Sequence, residues 1–338
     1  MRRPRLTRRR LAGTLAVLAT ALAVAAVVAL ATGSERVPFG QIVAALAARL
    51  TGADTPLSPE QQAIVFDIRL PRILLGIVVG AALSVAGAAF QALLRNPLAE
   101  PYILGVSGGA ALGAVLSIVF LAQFPVGRTF AAFAGAALTI AVVYGLGEGR
   151  EGAPTERLIL AGVIVNAFLG STIIFLLSIT SESGLRSIYA WLIGDLSGAG
   201  SDLLPVALVA AASGAAIFLS ARGLNLMMLG ERDAAALGVG TRRVKVTVYL
   251  AASLATGAAV SVSGMIGFVG LIVPHGVRLA VGSDNRLVVP ASAIVGAAFL
   301  VLADTVARTL FAPRELHIGV VTALVGAPVF VYLLRRSW

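Results

Sequence analysis

Uncharged, apolar runs of about 17–25 residues recur along this chain, and a run of that length crosses a bilayer as a helix. The runs are rich in Ala, Leu, Val and Gly and do not alternate polar with apolar residues as a membrane barrel strand does. In hydrocarbon only helices and closed barrels satisfy every backbone N–H and C=O. A water-soluble fold would have to bury about ten such runs in one core, which surface-to-volume scaling excludes for 338 residues. Charged residues make up 12% of the chain, about half the share in ordinary soluble domains. The expected fold class is therefore all-α: a polytopic integral membrane protein in one domain covering 1–338.

The predicted spans are 11–32, 71–94, 104–122, 129–147, 158–179, 202–221, 243–263, 265–281, 288–308 and 318–334. Ten crossings put both termini on one side. Basic residues mark the cytoplasmic side. With the N-terminus inside, Arg36, Arg49, Arg69, Arg72, Arg128, Arg186, Arg308 and Arg314 fall on outer segments and the other 18 of the 26 basic residues on inner ones, so the charge supports N-in/C-in. Residues 1–10 read as a basic cytoplasmic tail. The apolar run from Leu11 to Thr32 is longer than the 7–15 residues of a secretory signal core and is expected to remain as the first span. The formal charge of +10 is then orientation, not nucleic-acid binding, since no soluble basic domain is present.

Between the first two spans, Pro38 to Leu50 reads as an amphipathic helix on the outer surface. Residues 180–201, with Tyr189 and Trp191, suit an interfacial belt with a short re-entrant or surface helix, and 309–317 an outer half-helix broken by Pro313. Spans two to five and seven to ten run in opposite senses, as an inverted repeat would, although no sequence self-similarity accompanies the topology.

Four segments carry mechanism. Arg69-Leu-Pro-Arg72 opens a small-residue span, and Asn96-Pro97-Leu98-Ala99-Glu100-Pro101 ends it in a sharp inner turn. Leu229 to Gly240 (LGERDAAALGVG) is too short and charged to cross; Glu231 and Asp233 suit a first helical turn, and Gly238 and Gly240 suit terminators. Gly264 to Arg278 (GMIGFVGLIVPHGVR) reads as a kinked, closely packed helix; His275 near its inner end suits a structural place, with a ligand or proton relay as the alternative. Asp304 and Arg308, four residues apart, can pair on one helix face.

Together these segments resemble the FecCD permease family, the type II ABC importers of ferric siderophores, haem and cobalamin; the resemblance runs from about Arg69 to Leu334. It implies a permease subunit of an ATP-binding-cassette importer, paired with a second permease subunit as a homodimer. Two cytoplasmic ATPases lie below it, a substrate-binding protein docks outside, and the location is the bacterial cytoplasmic membrane. Ferric siderophore is the first expectation for the substrate, with cobalamin and haem as alternatives. Carried over by residue, Gly230, Glu231, Arg232, Asp233, Ala234, Leu237 and Gly238 fall in the coupling helix that seats in the ATPase. Arg69, Arg72 and Arg308 match outward arginines that meet acidic groups of the binding protein, and Asn96, Pro97 and Leu98 match the inner gate. Local pairing, Arg308 with Asp304, is the other reading of those arginines. His317 departs from the pattern, which has proline after Glu-Leu; it is either drift or a contact to a metal-containing ligand.

The chain contains one lysine, Lys245, in Arg-Val-Lys-Val. A phosphate-cradling Walker loop needs Gly-Lys-Ser/Thr, so ATP and Mg would belong to the partner ATPase, with no cofactor on this chain. With no cysteine and two distant histidines, no thiolate metal site or catalytic constellation is legible. An ion-coupled secondary transporter is the principal rival. Such carriers usually bury ionisable groups at mid-membrane, and these spans are nearly free of them. A channel lacks a charge ring or filter motif.

Overall fold

The computed structural model describes residues 7–33, 35, 37–52, 54–120, 127–148, 155–198 and 202–337; Arg2, Arg3 and Arg5 of the basic tail, Arg36 and Arg150 lie outside them. The chain runs as α1 (Arg8–Ala31), α2 (Phe39–Thr51) and α3 (Pro59–Gln62), which passes through a π-helical stretch, Ala63–Arg69, into α4 (Leu70–Leu93). A 3-10 turn, Pro101–Leu104, leads to α5 (Val106–Phe120), α6 (Gly127–Gly147), α7 (Thr155–Ile179) and α8 (Glu182–Ile193). Then come α9 (Leu203–Leu219), α10 (Ala221–Met227), α11 (Glu231–Ala236), α12 (Thr241–Ser263), α13 (Val269–Val281), α14 (Asn285–Thr309) and α15 (Ile318–Ser337). Among the described residues six helices are long and apolar enough to cross a bilayer singly, and α9 with α10, bent by 53°, adds a seventh when the pair is counted as one span. The shorter apolar helices α5, α13 and α15 complete a ten-element arrangement close to the predicted spans.

Burial divides the helices by the chemistry of their sides. From Ala82 to Leu93 every residue of α4 is buried. A helix apolar all round belongs in the centre of a bundle, and α12, α13 and α14 close around it. By contrast α7 leaves Leu160, Ile164, Phe168, Ile174 and Phe175 exposed. An apolar surface so continuous is stable only against lipid or another protein.

Small residues set the spacing at the centre. A Cβ at Gly80 would lie 2.3 Å from the Gly296 carbonyl oxygen on α14, and one at Gly296 would lie 2.4 Å from the Gly80 oxygen. Without a hydrophobic drive between helices in lipid, such close backbone approach supplies the packing. Gly80→Val is expected to destabilise the protein by about 1–3 kcal/mol, as overpacking does elsewhere. Its thermal midpoint in detergent checks this; an unchanged midpoint would remove α4 and α14 from contact.

Two expected elements differ. Residues 310–314 form turns rather than an outer half-helix; Pro313 lacks an N–H and disfavours helix at the residue before it. The expected span 265–281 is helical only from Val269, and the expected kink at Pro274 is preceded by a full break at 264–268. Gly264 (φ +66°) and Phe268 (φ +68°) hold this break in left-handed backbone. Thirteen residues of helix rise roughly 20 Å, short of the roughly 30 Å of a hydrocarbon core. The break therefore reaches into the membrane.

Candidate functional site

Non-helical backbone at membrane depth survives only where protein satisfies it. The 3-10 turn after α4 does this for the break before α13. Tyr102 donates its hydroxyl to the Ile266 carbonyl at 2.7 Å and accepts from the Ile266 N–H at 2.7 Å. Glu100 accepts from the Phe268 N–H at 2.9 Å, at the helix end where a carboxylate is favoured. The Asp195 N–H donates to the Ser263 carbonyl at 2.8 Å. Alpha-13 also lies hard against α4: a Cβ at Gly87 would meet the Gly270 carbonyl oxygen at 1.8 Å. Sequence reasoning placed Glu100 in an inner turn and did not see that it caps α13. The available signal was an acid held between two prolines amid apolar spans.

At the inner end, α4 stops at Leu93 and the chain reverses through Arg95 (φ +50°). Asn96 Oδ1 accepts from the Leu98 N–H at 2.9 Å, which is the side-chain turn that asparagine favours. Asn96, Pro97 and Leu98 are exposed on this turn. Pro97 borders an opening together with Gln91, Arg95, Met228, His275 and Arg278. His275 is buried there.

The segment from Leu229 to Gly240 stands apart on the inner face. Alpha-10 ends at Met227, and Gly230 (φ +139°) and Gly238 (φ +83°) bracket α11 in backbone that only glycine adopts freely. Ala234 is fully buried and anchors α11, while Glu231, Arg232, Asp233 and Gly238 are exposed. Leu229 and Leu237 are 65% and 62% exposed. Lys245 of α12 meets Glu231 at 2.6 Å. Behind this unit Asp284 caps α14 and pairs with Arg286 at 2.6 Å. The Arg286 hydrogen bonds hold the Asp284 carboxyl down at about 2, overcoming a partial desolvation that raises it. Its charge is therefore constant through neutral pH; the stability it lends is present above its ordinary range and lost only as pH falls towards 2.

The outer arginines are placed otherwise than expected. Arg69, Arg72 and Arg308 are 3%, 6% and 7% exposed, so their charge is turned inward. Arg69 donates to the Leu30 carbonyl at 2.8 Å and to the Glu35 carbonyl. Arg72 reaches Asp304 at 2.9 Å and Glu315 at 2.7 Å. Arg308 meets Asp304 at 3.0 Å, the predicted i, i+4 pair, and donates to the Ala29 carbonyl at 3.3 Å. The physical reason is desolvation: guanidinium groups at the ends of packed helices need internal acceptors. Glu315 and the second role of Asp304 were not legible, because Arg72 and Asp304 lie 232 positions apart. His317 sits just before α15, partly buried, and its carbonyl accepts from the Val320 N–H at 3.1 Å.

Comparison with known proteins matches residues 21–336 to the model of the FecCD transport family. The chain is 47% identical over 275 residues to the cobalamin import system permease BtuC of Halobacterium salinarum, covering 81% of this chain and 74% of that one. It is 41% identical over 284 residues to the hemin transport system permease HmuU of Yersinia pestis, covering 80% and 83%. It is 42% identical over 280 residues to YfiZ of Bacillus subtilis, described as a siderophore transport permease, covering 82% and 84%. Among solved structures, a metal-chelate type ABC transporter in an inward-facing conformation superposes with a TM-score of 0.83 at 32% identity, covering 95% of this chain and 98% of that one.

Proposed function

The chain belongs to the FecCD transport family, and on that premise we propose that it carries a metal chelate across the cytoplasmic membrane as the permease subunit of an ATP-binding-cassette importer. A ferric siderophore is the first substrate of this reading. Cobalamin is the second, favoured by the 47% identity to a cobalamin permease, with haem beside it. The observation that carries the reading is the α10–α11 unit. It is a short helix fixed by Ala234 on one side that offers Leu229, Arg232 and Leu237 to the inner solvent. Such exposed apolar side chains rimmed by charge suit a protein partner, and a cytoplasmic ATPase holding Mg and ATP fits that place.

In this reading two permease subunits form the pathway, and Asn96, Pro97 and Leu98 border its inner exit. A binding protein delivers substrate outside. The buried Arg69, Arg72 and Arg308 bear on that docking by fixing the outer ends of α4 and α14, not by touching the binding protein. The test is uptake into proteoliposomes holding the chain, its cognate ATPase and the binding protein, with labelled ferric siderophore, cobalamin and haem in separate runs. Uptake is expected to require ATP hydrolysis. Uptake of any of them by the chain alone under a proton gradient, without ATP, overturns the reading in favour of an ion-coupled carrier.

A further inference from the structure

Six residues of helix cannot hold their own orientation, since most of their backbone groups lie in the unsatisfied end turns. Alpha-11 takes its orientation from its surroundings: from α10, to which Met228, Leu229 and Gly230 join it, from the buried Ala234, and from Lys245 of α12. On α10, Asn225 donates its side-chain amide to Asp284 Oδ1 at 2.7 Å. Its Oδ1 accepts from both the backbone N–H and the side-chain Nδ2 of Asn285, each at 2.8 Å. Asn285 is completely buried and presents its own Oδ1 to Arg278 Nη2 at 3.0 Å. The same Arg278 nitrogen donates to the Ala88 carbonyl of α4 at 2.9 Å. A continuous set of hydrogen bonds thus joins α10, the start of α14, the end of α13 and the inner part of α4.

One end of this set carries α11. The other bears on the inner opening, which Arg278 lines together with Gln91, Arg95, Pro97 and His275, and which Met228 of the α10–α11 link also borders. An amide suits the first position because it donates and accepts at once. Satisfied polar networks rigidify the elements they join. Asp284 remains an acceptor at every pH near neutrality, so the junction does not loosen by protonation.

We propose that Asn225 is a positioning residue for ATP-driven transport, conveying displacement of the α10–α11 unit through Asn285 and Arg278 to the inner opening. This rests on the reading that α11 engages an ATPase. A contiguous path is not in itself coupling, so coupling is what must be measured. In proteoliposomes containing the full chain, its ATPase and the binding protein, Asn225→Ala is expected to keep the ATPase bound and its hydrolysis rate within about twofold, while substrate carried per ATP falls at least about fivefold. Equal losses of hydrolysis and transport would make Asn225 a structural brace only, and unchanged substrate per ATP would remove it from the relay; either overturns the proposal. Should Asn225→Ala fail to assemble, Asn225→Ser keeps a small polar group at this partly buried place but withdraws it from Asn285, and the same fall decides. If the unaltered complex shows no ATP-dependent uptake, it is the importer reading that fails, not the relay within it.

Discussion

Asp304→Ala is expected to cost the folded protein about 3–5 kcal/mol, the loss typical of removing one partner from a buried ion pair. Asp304 is 2% exposed and is the shared acceptor of Arg72 and Arg308. Its removal leaves Arg308 with the Ala29 carbonyl, and Arg72 with Glu315, which is half exposed. The thermal midpoint in detergent should fall by roughly 10 °C. Asp304→Asn keeps the shape and part of the hydrogen bonding and should lose less. The double variant Asp304→Ala with Arg308→Ala should lose less than the sum of the single changes, because the second removes a charge that the first leaves unpaired. A midpoint for Asp304→Ala within about 2 °C of the parent would show that the pairs contribute little. The same geometry bears on the proposed docking of a binding protein. Charge reversal at Arg72 breaks an internal pair first, so docking affinity is informative only when normalised to folded protein.

The second large effect is expected at the inner face. Leu229→Asp with Leu237→Asp should weaken ATPase association by about 30- to 1000-fold, or about 2–4 kcal/mol. Both leucines are more than half exposed, so the substitutions leave no internal cavity and the thermal midpoint should hold. Co-purification of the ATPase with the chain reads the outcome. Retention of the ATPase at parental stoichiometry and affinity would take α11 out of the contact. A matched change at Ala234, which is fully buried, would be ambiguous, because a larger side chain there displaces α11 itself.

The fold was largely legible because lipid leaves few choices. A run such as 71–94 or 243–263 must be helical to satisfy its backbone, and α4 and α12 fall within a few residues of those limits. The surface helix α2 and the short α8 were legible from amphipathicity and interfacial aromatics. The short inner helix α11 was legible too, because Gly230, Glu231 and Gly238 punctuate it locally. Three features were not. The π-helical stretch 63–69 has no distinguishing composition. The break at 264–268 was read as helix because its glycines suit close packing equally well. The half-helix expected at 309–317 is a set of turns.

By itself, then, the sequence determined the solvent, the helical class, the number of apolar elements and the exposed inner helix. All of these follow from hydropathy, length and punctuation, which are local properties of the chain. The tertiary structure decided which way the charges face. Arg72 looked outward from its place at a helix end, but Asp304 lies beside it across α4 and α14, and desolvation makes that internal pair the stable arrangement. Glu100 likewise became the cap of a half-helix more than 160 residues away. Asn225 became the junction of α10 with the start of α14 through contacts that only folding creates. Pairings between distant segments depend on which backbones approach closely, and that is set by glycine-to-backbone contacts such as Gly80 with Gly296, not by any signal within a single run.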